Sequence, residues 1–285
     1  MLSIGLVVSF LVFLAVIGQA QPTNQLRNHQ QAKRDYAHSV PSYNPAEPMG
    51  IAYSPYQDDG SCKNLDQNAG LSATNIWIVH TAILSIPNNN LRLFLGIFDI
   101  SDVYGSVQTI IRAVNYDFSK IVTVSVGNEL VNNGIKTPTD VINAIGEARN
   151  LLRAAGYAGP VVTVDTFVAL KAHVELCYAS DYVAANIHPF FDGQVYPENS
   201  GEWVRNQVND LAAACNNWNV LVTETGWPTA GNTVGVSVPS IQNQETALRS
   251  ISRTLNNGFV SFSAFNDLWK APGPFNCEKS WGLLR

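Results

Sequence analysis

The chain has 285 residues, 46% of them hydrophobic and 14% charged, and a formal net charge of −5. A composition this apolar excludes a disordered chain, and the acidic balance offers no basic face, so nucleic acid is not an expected partner. The size fits one large α/β domain, and the surface suits a neutral or weakly polar ligand.

In chain order, the first segment is an apolar run from Ile4 to Ile17 followed by Gly18-Gln19-Ala20. A membrane span needs roughly 18 to 20 apolar residues. A shorter run ending in small residues reads as a secretory signal peptide over 1–20, which implies a secreted protein with no membrane attachment after cleavage. Residues 21–47 are rich in Gln, Asn and Pro and read as a pro-segment or linker, with a candidate cleavage site after Arg34 in the dibasic pair Lys33-Arg34. Residues 48–285 are left for the folded domain.

Within that domain short β-branched runs alternate with amphipathic stretches. The runs are Met49–Ser54, Leu91–Asp99, Ile121–Glu129, Val161–Phe167, Tyr182–Phe191, Val220–Trp227 and Val260–Trp269. The stretches include Thr139–Ala155, Trp203–Cys215 and Ile241–Leu255, where apolar residues recur at three and four. Strands that are apolar nearly throughout and separated by helices predict a parallel sheet covered on both faces. The expected fold is an α/β (β/α)8 TIM barrel.

In such barrels reactive groups sit at the C-terminal ends of the strands. Glu129 closes the run "IVTVSVGNE", and Glu224 closes the approach "VLVTE". A lone glutamate after a strand is commonly a solvated loop residue or a helix cap. Two of them, each in a distinctive setting with two strands between, place carboxylates across the barrel mouth from each other, the arrangement of glycosidic bond cleavage. Other chemistries lack their marks: there is no Gly-x-Ser-x-Gly elbow, no His-Glu-x-x-His and no phosphate loop. The histidines at 29, 38, 80, 173 and 188 show no ligand spacing, so neither a metal nor a cofactor is expected.

The motifs "VGNEL" (126–130), "TETGWPT" (223–229), "AFNDLWK" (264–270) and "EKSWGLL" (278–284), with "GIAYSPYQDDGSC" (50–62) and "FLGIFDISD" (94–102), resemble glycoside hydrolase family 17. The likeness covers roughly residues 48–285 and lies with the family's fungal cell-wall β-1,3-glucanases and glucanosyltransferases. It implies a retaining mechanism with Glu129 as acid and base and Glu224 as nucleophile, acting on β-1,3-glucan in the cell wall. It further implies that Asn128 binds the sugar 2-hydroxyl and that Asp267, Lys270 and Glu278 supply polar contacts beside the pair. Family members often carry glutamate where Asp267 stands. Tyr53, Trp227 and Trp269 are candidate platforms for sugar rings, and His188 is a candidate neighbour of the nucleophile. The partner is a β-1,3-glucan poly- or oligosaccharide, and a monomer is expected. The alternative is a catalytically impaired glucan-binding wall protein.

One region departs from the family pattern. Between Pro55 and Leu91 the chain is barely long enough for two crossovers and a strand, since each crossover takes roughly ten or more residues. Either Ile76–Thr81 serves as the second strand or the barrel lacks one, so the barrel is expected to be irregular or incomplete there. Four cysteines in an exported chain predict two disulfides. Neighbouring positions around the barrel favour Cys62–Cys277 and Cys177–Cys215. The family offers a rival in which the first-loop cysteine pairs within the second-strand region and Cys62 is left without its partner.

Overall fold

The computed structural model describes residues 14–18, 50–53, 84–85, 91–256 and 258–284. Eight strands close into a barrel: β1 (Leu14–Gly18), β2 (Gly50–Tyr53), β3 (Leu91–Ile97), β4 (Ile121–Asn128), β5 (Val161–Thr166), β6 (Val183–Asn186), β7 (Val220–Thr225) and β8 (Phe259–Ser261). They lie in the order β1-β2-β8-β7-β6-β5-β4-β3. The described helices include α1 (Val103–Val114), α2 (Pro138–Ala154), α3 (Phe167–Ala172), α4 (Glu175–Ala179), α5 (Ser200–Ala214) and α6 (Ile241–Leu255).

Local chemistry sets these elements. Thr137 and Asp140 form a reciprocal capping box ahead of α2, with Pro138 in its first turn. Ser240 caps α6, and Asn256 ends it in the left-handed conformation. Strand β4 is buried at all but one position, as a parallel strand covered on both faces must be. Alternation then divides the core. On β5, Val161 joins the cluster packed beneath the helices, whereas Val162 and Val164 join the cluster containing Phe94, Val260 and Phe262.

The expected strands run past the observed ends. Tyr182–Phe191 shortens to Val183–Asn186, because Pro189 starts a 3-10 turn over Pro189–Asp192. Val260–Trp269 shortens to Phe259–Ser261, and the chain beyond it continues as bends and turns. Both apolar runs continue into buried loops, which period alone cannot separate from strand.

The second-strand slot holds a segment not expected there. Strand β1 runs antiparallel to both β2 and β3, pairing Leu14 with Tyr53 and Leu14 with Leu95, while the other seven strands are mutually parallel. Ile76–Thr81 lies outside the described residues. β1 belongs to the expected leader, so a cut after Ala20 removes it and exposes the edges of β2 and β3. Cys177 and Cys215 form the expected disulfide, with Cα atoms 5.8 Å apart. Cys277 is a buried thiol, and Cys62 lies outside the described residues.

Candidate active site

The C-terminal ends of β4, β6 and β7 carry the site, and register irregularities aim its side chains. Between β6 and β7 the partners step from Ala185–Val222 to Asn186–Glu224, so one extra residue on β7 brings Glu224 beside Asn186. Between β4 and β5 they step from Ser125–Val162 to Asn128–Val164. Gly127 supports that bulge with a φ of 79°, and a Cβ there would come within 2.7 Å of Leu130. Glu129 follows with a φ of 52°, a left-handed conformation that costs a non-glycine residue energy and marks functional sites.

Asn186 joins the two halves of the site. Its Nδ2 donates to Glu129 Oε1 at 2.9 Å and to Asn128 Oδ1 at 3.2 Å. Its Oδ1 accepts from Thr223 Oγ1 at 2.9 Å, which fixes the amide orientation. His188 Nε2 lies 3.2 Å from Glu224 Oε2, and Glu224 Oε1 has no hydrogen-bond partner among the described residues. The imidazole is wedged edge-on between Trp281, Phe262 and Phe191, at centroid distances of 5.1, 5.6 and 6.0 Å.

The last loops supply the charge. Lys270 Nζ is 2.9 Å from Asp267 Oδ2 and sits 4.8 Å from the centroid of the Phe262 ring. Trp269 Nε1 donates to the other oxygen of Asp267 at 3.2 Å. Asp267 therefore holds Lys270 and Trp269 from a buried position. Glu278 acts electrostatically on both Glu224 and His188.

Burial governs the ionisation of the site. It raises the Glu129 carboxyl to about 7, with the Glu224 charge adding to the rise and Asn186 opposing it. It raises Glu224 to about 8, opposed chiefly by Lys270. Two interacting carboxyls, Glu224 buried and Glu129 half-buried, do not both ionise readily, so near neutrality the pair shares a proton. Burial pushes His188 down to about 4, so the imidazole is neutral, and it donates to a Glu224 carboxylate when its proton is on Nε2.

Of the candidates read from the sequence, Asn128, Glu129, His188, Glu224, Asp267, Trp269, Lys270 and Glu278 lie in this one network. Trp227 does not serve as a platform. It is fully buried, its Nε1 donates to Val238 O at 2.9 Å, and its ring packs on Phe190 at 5.3 Å, because the chain after β7 turns into the barrel core. Tyr53 stays 37% exposed and meets the exposed Phe265 edge-on at 6.4 Å, leaving a ring face for a ligand. Sequence reasoning missed Asn186. Its only signal was an amide two residues before His188 at the end of a buried strand.

A family model, the BtgE/BtgC glycoside hydrolase domain, matches residues 50–282. The chain belongs to this family. A cell surface mannoprotein of Candida albicans is 45% identical over 82% of this chain and 66% of its own length. A probable family 17 glucosidase of Saccharomyces cerevisiae is 42% identical over 82% of this chain and 64% of its own. The chain thus spans about two thirds or less of the curated relatives it matches. The crystal structure of a glycoside hydrolase family 17 β-1,3-glucanosyltransferase from Rhizomucor miehei superposes with a TM-score of 0.56 at 20% identity, covering 78% of this chain and 91% of that one. That likeness establishes a common fold for the family barrel, and the family is the fungal cell-wall type of glycoside hydrolase family 17.

Proposed function

We propose that this chain is a retaining glycoside hydrolase acting on β-1,3-glucan of the fungal cell wall, an endo-1,3-β-glucanase whose glycosyl-enzyme is opened by water or by a sugar hydroxyl. The observation that carries the reading is the pair of raised carboxyls, Glu129 and Glu224, gathered at the barrel mouth by one amide and one imidazole. A glycosidase needs one carboxyl protonated to release the leaving oxygen and one ionised to attack.

Glu224 is the nucleophile and Glu129 the acid. The higher of the two raised values falls on Glu224, which runs against this division. The cation supports it: Lys270 acts on Glu224, so the carboxylate form has its counter-charge there. His188 donates to Oε2 and leaves Oε1 to attack the anomeric carbon. As the C–O bond to the leaving sugar breaks, Glu129 passes its proton to the leaving oxygen. The resulting carboxylate then takes a proton from water, or from a glucan hydroxyl, as that oxygen opens the Glu224 ester. Asn128, whose Oδ1 accepts from the same Asn186 amide, is the residue assigned to the sugar 2-hydroxyl. Tyr53 offers a ring face at the rim, and half-buried Trp269 is the second candidate platform.

The apolar leader and the cell-surface name of the Candida relative support secretion to the wall. Among the described residues no helix is long and apolar enough to cross a membrane. Purified chain incubated with laminarin tests the activity: reducing ends should appear and be lost in Glu224→Gln, and products longer than the donor reveal transfer. The second reading, a glucan-binding wall protein, is favoured by the short sequence between Tyr53 and Leu91. Co-sedimentation with insoluble glucan without release of reducing ends would establish it.

A further inference from the structure

Strand β5 carries one charged residue among valines and threonines, Asp165, and it is 2% exposed. It alternates with Val162 and Val164, which fill the barrel interior, so its carboxylate stands away from the glucan and cannot touch a reacting atom. Its oxygens accept three main-chain N–H groups. Val131 donates to Oδ2 at 3.0 Å, Asn132 to Oδ1 at 3.3 Å, and Thr166 to Oδ1 at 2.8 Å. The first two belong to the turn that leaves β4 directly after Glu129. Three further bonds complete the fastening: Glu129 N donates to Val164 O at 3.0 Å, Asn133 N to Glu129 O at 3.0 Å, and Thr166 Oγ1 to Asn132 Oδ1 at 2.9 Å.

We propose that Asp165 is a positioning residue for Glu129: its buried carboxylate clamps the main chain of Val131 and Asn132 and so holds the left-handed turn that presents the acid/base carboxyl to the glycosidic oxygen. The inference rests on the role assigned to Glu129 above. The clamp is needed because a non-glycine residue leaves the left-handed region unless its surroundings hold it there. A carboxylate suits the task, since an anion accepts several N–H bonds at once and makes each of them stronger than a neutral acceptor would.

The same charge couples the two acids. Glu129 is faced by Asp165 from β5, by His188 from the segment after β6 and by Glu224 from β7, and Asp165 raises its proton affinity. Asp165 is in turn faced by His173, beyond α3, and burial raises its own carboxyl to about 6. Lys270, Asp267 and Glu278 act on Glu224 from the last loops.

The test uses the full chain, with side-chain carboxyls labelled with carbon-13 and amides with nitrogen-15, as wild type, Asp165→Asn and Asp165→Glu. In the wild type the Val131 and Asn132 amide signals should move together with the titrating Asp165 carboxyl. In Asp165→Asn the Glu129 carboxyl should titrate at lower pH, and kcat on laminarin should fall by roughly 10- to 100-fold with KM little changed, as misplacement of a reacting group does. Asp165→Glu, which keeps the charge, should return the Glu129 titration toward wild type. An unshifted Glu129 titration in a folded Asp165→Asn chain overturns the proposal. So do wild-type Val131 and Asn132 amides that ignore the Asp165 titration, a measurement that needs no variant to fold. If the wild type leaves laminarin intact, the hydrolase reading fails, and the carboxyl titrations still judge the clamp.

Discussion

Replacing Glu224 by glutamine should abolish turnover and, at alkaline pH, make the protein more stable. The unfolded chain releases this proton near 4.5 and the folded chain near 8. A group whose proton is held more tightly when folded stabilises the fold while protonated, and that contribution is lost as pH rises between the two values. His188 works in the opposite direction, because its folded value is lowered from 6.5 to about 4, and above 6.5 it contributes no further change. Glu129, raised to about 7, titrates in the range from pH 6.5 to pH 8 as well, but it remains in both proteins, so the difference between wild type and variant over that range reports Glu224. Over those 1.5 pH units, at about 1.4 kcal/mol per unit, the wild type loses roughly 2 kcal/mol that the glutamine variant keeps. For a chain of this size that is a difference of roughly 4 to 8 °C in Tm. Calorimetry of both proteins at pH 6.5 and pH 8 measures it. A wild-type Tm that is flat or rising across the window, or a variant that falls in parallel, would refute the argument that Glu224 is ionised at a cost.

Three more expectations come from the same geometry. Glu129→Gln should lose activity on laminarin yet keep much of it on aryl glucosides whose leaving group needs no proton, and azide should accelerate it by forming a β-glucosyl azide; product analysis by NMR distinguishes this from the inert Glu224→Gln. Asn186→Ala removes a bond that lowers Glu129, so the alkaline limb of its kcat/KM profile should move to higher pH, opposite to Asp165→Asn, with kcat reduced. Finally, a chain beginning at residue 21 lacks β1; amide hydrogen exchange should show β2 and β3 losing protection relative to the full chain, while β5 and β6 are unchanged.

The barrel was legible because its parallel strands are buried on both faces and so are written as unbroken apolar runs. The two glutamates were legible for a related reason: a charge at the end of such a run has nowhere to go but the barrel mouth. What failed was the reading of residues whose role depends on a single extra residue in a strand. Trp227 follows the β7 bulge and turns into the core, although its place after a strand end suggested the rim. Asn186 became the hub of the site only through the register shift that sets it beside Glu224. Asp165 carried a readable signal, a carboxylate inside an apolar strand, but its partners are main-chain N–H groups of a distant turn, and these leave no mark in the sequence. Pairing of β1 between β2 and β3 was not legible at all, because an apolar leader has the composition of a barrel strand.

In a retaining reaction Glu224 becomes covalently glycosylated. A 2-deoxy-2-fluoro laminaribiosyl fluoride slows both steps and lets the intermediate accumulate, so the full chain treated with it, digested and analysed by mass spectrometry, gives a direct reading. One added glycosyl group is expected on the peptide that contains Glu224, absent from Glu224→Gln. A label on the Glu129 peptide, or laminarin cleavage that releases the inverted anomer with no label anywhere, would contradict it.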